Sequence, residues 1–299
     1  MLIKLKKIFI RKSESLLRKL KFFIGSFIRY TYNCIFKISF FEKPLPKVPF
    51  SKRPLATKKR YIKLHQETIS NNSKEIIDFE KKIGFAIDKE WFSELSLITQ
   101  TCIKKSKLNF NHGRLLFSVL SKYLSDNKDD FRKPIFIFET GTARGFSSIC
   151  MSKALNDQKV NGQIITIDCI PHNQKILWNS IIDNDGPSTR AELLSLWPKE
   201  LENIFFIQGW SDVILNRMHL NRIHFAFLDA QHTRKAVLEE FNFVSKKQMK
   251  GDIIIFDDVT KGYFDGVCEA VCEIEKLSNY SIKYYNFDNL RGYAIATKK

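Results

Sequence analysis

Two short stretches, FLDAQH and FDDV, place three carboxylates and an imidazole at the ends of two apolar runs: Asp229, His232, Asp257 and Asp258. If those runs are parallel strands of one sheet, their carboxyl ends open on a common crevice, and the three acids converge there. Carboxylates crowded in one pocket repel each other, and ionising all of them is costly unless a cation sits among them. Hard oxygen ligands with open water positions suit Mg²⁺, so Asp229, Asp257 and Asp258 are expected to hold it. His232 follows Asp229 by one helical turn. It is placed to act as general base toward a hydroxyl whose pKa a metal has lowered. The plainer alternative makes Asp257-Asp258 a helix cap, Asp229 a solvated strand end and His232 a structural side chain.

A second constellation lies upstream, in PIFIFETGTARGFSSI at 134–149. An apolar run stops at Glu139, and Gly141 and Gly145 follow four residues apart. Glycine lets the backbone turn sharply and lets a ligand lie against it. A dinucleotide fingerprint requires G-x-G-x-x-G, but position 143 is Ala and no third glycine follows. A phosphate-binding loop requires G-K-[ST], but Gly145 precedes Phe146. An acid before the turn would repel a pyrophosphate and suits a cationic or amino-bearing ligand. The next apolar run, IITID, ends in Asp168, and a carboxylate there can take both hydroxyls of a ribose. An acid for an ammonium and an acid for a ribose together describe S-adenosylmethionine.

These residues need a sheet to bring them together. From Pro134 onward, short apolar runs at 135–138, 164–167, 204–207, 223–228 and 252–256 alternate with amphipathic stretches, a pattern that predicts an α/β, doubly wound, mostly parallel sheet. SIKYYNF at 281–287 and GYAIATK at 292–298, joined by DNLR, predict a closing antiparallel hairpin. Upstream, residues 64–130 read as helical, with Asp88 capping a helix from Lys89 to about Lys105 and Asn111 capping one through Tyr123. Residues 43–63 form a linker whose 43–54 part, KPLPKVPFSKRP, holds four of the eight prolines. The catalytic region proper spans 131–299.

The E-x-G-x-x-x-G turn, the acid ending the second strand and the closing hairpin resemble a class I S-adenosylmethionine-dependent methyltransferase, over roughly residues 110–299. The resemblance implies a seven-stranded sheet. It also implies that Glu139, Gly141, Gly145 and the turn hold the methionine part of the cofactor, that Asp168 holds the ribose, and that Trp210 and Ser211 lie near adenine. Trp210 either stacks on the base or simply packs. D-x-x-H followed by D-D is similar to the metal-dependent sugar O-methyltransferases. That resemblance implies Mg²⁺ on Asp229, Asp257 and Asp258, with His232 as the base and a sugar or glycan as acceptor. Catechol-type small-molecule O-methyltransferases use an acidic metal trio whose third member is typically Asn, where this chain has Asp258. Residues 171–200 form an insertion expected to be either a lid over the substrate or a surface helix pair.

The charge is uneven. Residues 1–63 hold 18 Lys/Arg against Glu14 and Glu42, whereas residues 64–299 hold 31 Lys/Arg against 30 Asp/Glu. A nearly neutral body gives no reason to expect a nucleic-acid groove. Within 1–42, Leu2, Leu5, Phe9, Leu16, Leu20, Phe23 and Phe27 fall on one helical face, opposite Lys4, Lys7, Arg11, Arg18 and Arg29. That is a basic amphipathic helix. Lys21, Arg29 and Lys37 interrupt every apolar window long enough to span a bilayer. An anionic membrane surface is its expected partner, giving a cytoplasmic protein held peripherally at the membrane. A transit peptide or a partner-binding helix is the alternative, and a homo-oligomer is compatible with the sequence. Six cysteines without a CxxC pair read as mostly buried free thiols. Cys268 and Cys272 read as core thiols on one helix face rather than a shared metal site. The competing functions are a nicotinamide-dependent oxidoreductase, which leaves the acidic trio unexplained, and a non-catalytic membrane-docked binding protein.

Overall fold

The expected strands all form, and their register sets the site. The computed structural model describes residues 50–70, 74–128, 134–276, 279–287 and 291–299. The basic segment 1–42 falls outside the described residues. Helices α1 (Lys58–Ser70), α2 (Lys74–Ile83), α3 (Lys89–Thr99) and α4 (Asn111–Asp126) precede strand β1 (Ile135–Thr140). Helix α5 (Phe146–Gln158) leads to β2 (Gly162–Asp168). The short helices α6 (Arg190–Leu193) and α7 (Pro198–Leu201) then lead to β3 (Ile204–Gln208). The chain continues through α8 (Ser211–Leu215), β4 (Phe225–Leu228), α9 (Arg234–Ser245), β5 (Ile253–Phe256), α10 (Asp265–Glu275), β6 (Tyr280–Asn286) and β7 (Gly292–Lys298). The sheet has seven strands in the order β3-β2-β1-β4-β5-β7-β6. The β1–β5 pairings are parallel, and β7 runs antiparallel to both β5 and β6.

Side chains alternate between the two faces of the sheet, as strand geometry requires. Ile137, Phe225, Phe227 and Ile255 pack with α2–α5 in one buried cluster. Phe138, Ala226, Leu228, Ile254 and Phe256 pack with Val237, Phe241, Val267 and Val271 of α9 and α10 in the other. Each fully buried Phe or Ile contributes about 1.5–3 kcal/mol. A bidentate pair buried between the elements, Glu80 with Arg114, ties α2 to α4.

Several local expectations are corrected. Asp88 does cap α3, accepting from the Trp91 N–H at 2.8 Å, but the helix ends at Thr99 rather than near Lys105. Asn111 is the first residue of α4 instead of its cap, and the Asn109 side chain accepts from its N–H at 2.6 Å. Helix α1 starts at Lys58, inside the stretch expected to be linker. The 171–200 insertion contains the short helix α6 and leads into α7, and it is tied into the body of the protein. Trp178 and Trp197 are buried, Ser180 Oγ donates to the Ile98 carbonyl at 2.6 Å, and the Asn179 amide bonds both the N–H and the carbonyl of Ile103. These contacts join it to the segment around Ile98–Ile103. Cys150 is buried, but Cys102, Cys169 and Cys268 are half-buried and Cys272 is exposed, so the last two are not core thiols.

Candidate active site

The register places the ends of four strands in one row. Thr140 pairs with Ile167 and with Leu228, and Leu228 pairs with Phe256. The next residues, Gly141, Asp168, Asp229 and Asp257, therefore leave the sheet side by side. Backbone bonds carry the ladder one step further: Gly141 N–H to the Ile167 carbonyl (2.9 Å), Asp229 N–H to Thr140 (3.0 Å), and Asp257 N–H to Leu228 (3.3 Å).

On one side of this row lies a cleft lined by Gly141, Asp168, Cys169, Gly209, Trp210, Ser211, Ala230 and Gln231. The glycine turn, the second-strand acid and the residues after strand three meet there as expected. Gly141 turns at φ +91°, and Gly145 at φ +88° precedes α5. Ala143 stands at φ +46°, where the fingerprint would have had another glycine. It is pinned by Asp168 Oδ2, which accepts its N–H at 2.7 Å, and by Arg190 Nε, which donates to its carbonyl at 3.0 Å. Asp168 Oδ1 also accepts from the Ile170 N–H at 2.7 Å, so this carboxylate organises two loops while facing the cleft.

Glu139 lies elsewhere than expected. It is fully buried beneath the turn and does not line the cleft. Its carboxylate accepts from Ser147, Ser148 and Thr166 hydroxyls, the last at 2.6 Å. Burial raises its pKa, and the three hydroxyls oppose that rise. The geometry makes it a strut under the first turn of α5, with no oxygen directed at a ligand's ammonium group.

On the other side of the row are the acids. Asp229, His232 and Asp258 each offer one ligand atom within 4.8 Å of the others. His232 Nε2 is 3.2 Å from Asp258 Oδ2 and 3.6 Å from Asp229 Oδ1. The His232 side chain is 41 % exposed and the Asp258 side chain only 4 %. Two contacts hold His232 in place: its ring meets Phe264 edge-on at 4.7 Å, and Gly266 brings α10 so close that a Cβ there would lie 2.5 Å from the His232 carbonyl. Asp257 departs from the expected ligand trio. Its Oδ1 accepts the Asp258 N–H at 2.7 Å, and its Oδ2 faces Arg291. Burial, and then the neighbouring acids Asp258 and Asp229 respectively, push the pKa values of Asp229 and Asp257 well above the usual carboxylate range; Arg291 pulls both down.

Sequence reasoning missed three residues. Arg291, from the β6–β7 connection, reaches the Asp257-Asp258 pair, and nothing in DNLR signals that. His112 on α4 is buried between Phe146 and Phe227, its Nδ1 has no hydrogen-bond partner, and desolvation followed by the Arg291 and Lys104 charges lowers its pKa to about 3. Glu240 on α9 is buried under the row, accepts from Thr140 Oγ1 at 2.8 Å, and is pushed up to about 7 by burial. Its α9 position looked like one more polar turn in an amphipathic helix.

The donor set fits a hard divalent cation. Asp229 Oδ1 and Asp258 Oδ2 turn to a common point beside His232 Nε2, away from the Asp257 Oδ2 and Asp258 Oδ1 that face Arg291. Two carboxylates converging in a largely buried site call for positive charge there.

Residues 138–259 match the family model of a methyltransferase domain. No curated protein matches the chain. Among solved structures, an O-methyltransferase assignment from Klebsiella pneumoniae superposes with a TM-score of 0.50 at 13 % identity, covering 71 % of this chain and 91 % of that one. The O-methyltransferase from Bacillus cereus in complex with SAH gives 0.49 at 14 % identity, over 71 % and 92 %. TomG from Streptomyces achromogenes, an O-methyltransferase of tomaymycin synthesis in complex with SAM, gives 0.48 at 17 %, over 72 % and 92 %.

Proposed function

We propose that the protein is a class I S-adenosylmethionine-dependent methyltransferase, in keeping with the methyltransferase-domain model matched by residues 138–259, and that it transfers a methyl group to a hydroxyl of a sugar or glycan with the help of Mg²⁺. The observation that carries the proposal is the convergence of Asp229, His232 and Asp258 beside the cleft of Gly141 and Asp168. When bound, S-adenosylmethionine supplies the electrophilic methyl group and Mg²⁺ acidifies the acceptor hydroxyl.

The chain's own residues do the rest. Gly141 leaves room against the backbone, Asp168 offers its carboxylate to the ribose hydroxyls, and Trp210 flanks the base. Asp229 and Asp258 would hold the cation. His232 Nε2, at the exposed edge of the cluster, takes the acceptor's proton as its oxygen bonds the methyl carbon and the carbon–sulfur bond breaks toward a neutral thioether. Holding these groups in line is the main catalytic contribution. Tyr263, 76 % exposed on the loop that carries the two aspartates, offers an open aromatic face suited to a sugar ring. Among the described residues no helix is long and apolar enough to cross a membrane. The basic amphipathic sequence of residues 1–41 supports docking on an anionic membrane and, with it, a membrane-proximal glycan as acceptor.

The test is calorimetry with S-adenosylhomocysteine followed by methyl-transfer assays on free and lipid-linked glycans, with a catechol as the small-molecule comparison. S-adenosylhomocysteine should bind, and Asp168→Ala should weaken it by about 1–3 kcal/mol. No binding by the wild-type chain would remove the methyltransferase activity; transfer to catechol alone would replace the glycan reading.

A further inference from the structure

The acid cluster has two sides. Asp229 Oδ1, Asp258 Oδ2 and His232 Nε2 gather on one side. On the other, Arg291 Nε lies 3.4 Å from Asp258 Oδ1, and Arg291 Nη1 lies 3.8 Å from Asp257 Oδ2. These two oxygens are the ones left without hydrogen bonds. Arg291 is thus close enough to compensate the charge of both oxygens.

Its position is built in. The residue after it, Gly292, accepts the Val259 N–H at 2.8 Å and donates its own N–H to Thr260 Oγ1 at 2.8 Å. A Cβ on Gly292 would lie 2.0 Å from the Val259 carbonyl oxygen, so only glycine lets β7 approach the aspartate turn this closely. Asp258 itself holds φ +56°, a left-handed conformation unfavourable for a non-glycine residue. The start of β7 and the Asp257–Thr260 turn are clamped together, and the clamp delivers the guanidinium to the acids.

We propose, on the metal reading given above, that Arg291 is a resident counter-cation of the acid cluster that keeps Asp257 and Asp258 in place before a divalent cation arrives and weakens the hold on that cation afterwards. Three carboxylates and one guanidinium leave room for two more positive charges, which a divalent cation supplies. Because Arg291 approaches from the opposite side, the cation need not expel it, but the two positive charges repel across Asp258. Asp257, whose Oδ2 faces Arg291 while its carboxyl also bonds Asp229, is then the partner of Arg291 and not a metal ligand.

The test titrates Mn²⁺ by electron paramagnetic resonance into the full chain, wild type, R291Q and R291K, and measures melting without metal in parallel. R291Q should bind Mn²⁺ about tenfold or more tightly than wild type, because a like charge has been removed at short range. It should melt at lower temperature without metal and regain more on Mn²⁺ addition. R291K, which keeps the charge, should resemble wild type in Mn²⁺ affinity. Unchanged or weaker Mn²⁺ binding by a folded R291Q, beside a wild type that binds, overturns the counter-cation role and leaves the metal site standing. Absence of Mn²⁺ binding by all three removes the metal site and this role with it, while S-adenosylhomocysteine binding by the same samples reports separately on the cofactor cleft.

Discussion

Gly141 and Asp229 touch: a Cβ added to Gly141 would lie 2.1 Å from the Asp229 carbonyl oxygen and 2.6 Å from its carbonyl carbon. The glycine that shapes the cleft and the first acid of the Asp229–His232–Asp258 cluster are therefore back to back. Gly141→Ala should lower S-adenosylhomocysteine and Mn²⁺ affinity together, by about tenfold or more each, besides the roughly 1–2 kcal/mol strain of a Cβ at positive φ. Gly84→Ala is the control, since Gly84 has φ +89° with nothing near its Cβ position. It should cost about the strain alone and leave both affinities intact. Calorimetry and thermal melts on the two variants decide; a Gly141→Ala protein that binds both ligands normally would show that the contact is not coupling the sites.

Glu240 sets a pH dependence. Burial raises its pKa from 4.5 to about 7 in the folded protein. Between these values the unfolded chain has released the proton that the folded chain still holds. Stability therefore falls as pH rises from about 4.5 to about 7 and levels off above it. Glu240→Gln keeps an acceptor for Thr140 and Ser211 but cannot ionise. At pH 8 it should be more stable than wild type by up to about 3.5 kcal/mol, at about 1.4 kcal/mol per pKa unit, with little difference at pH 4.5. Urea unfolding at the two pH values measures this, and equal gains at both would mean that the carboxyl's ionisation is not the cause.

The strand ends were readable because they are one-dimensional. A short apolar run that stops at Glu139, Asp168, Asp229 or Asp257 reports its own position, and the parallel register lines those ends up. The direction of each side chain was not readable. Glu139 and Asp257 sit at strand ends as expected, yet one turns down to three hydroxyls and the other sideways to Arg291, and only tertiary contacts decide that. Arg291, His112 and Glu240 were hidden for the same reason: each comes from an element whose pattern records burial or turn chemistry, and none lies near the site in sequence. The anchoring of the 171–200 insertion was not legible because its capping residues, Ser180 and Thr189, look like surface punctuation until Trp178 and Arg190 are seen to fill the space beneath them.

His232 and the cation should separate by assay. Excess chelator should abolish methyl transfer, and Mg²⁺ or Mn²⁺ should restore it. His232→Ala should reduce turnover by roughly 100-fold while leaving S-adenosylhomocysteine affinity unchanged, because the cofactor cleft lies across the strand row. If His232 is a ligand instead of the base, the same variant loses Mn²⁺ affinity, and turnover recovers at high Mn²⁺; recovery of that kind would move the proton acceptor elsewhere.

The basic N-terminal stripe predicts where the enzyme works. Leu2, Phe9, Leu16, Leu20, Phe23 and Phe27 would enter the acyl boundary of a bilayer, with Lys4, Lys7, Arg11 and Arg18 over anionic headgroups. A nucleic-acid arm has no use for the apolar stripe, so the two can be told apart by substituting each face in the full chain. Leu16→Glu with Phe23→Glu should abolish co-sedimentation with phosphatidylserine-containing vesicles and leave methyl transfer to a soluble acceptor unchanged. Lys4→Gln, Lys7→Gln and Arg11→Gln together should weaken sedimentation at low salt, with the difference shrinking as salt screens the headgroup charge. Binding that survives loss of the apolar face but vanishes with the charges would instead mark residues 1–41 as a polyelectrolyte arm. Neutral phosphatidylcholine vesicles, which should pellet little of either protein, control for trapping.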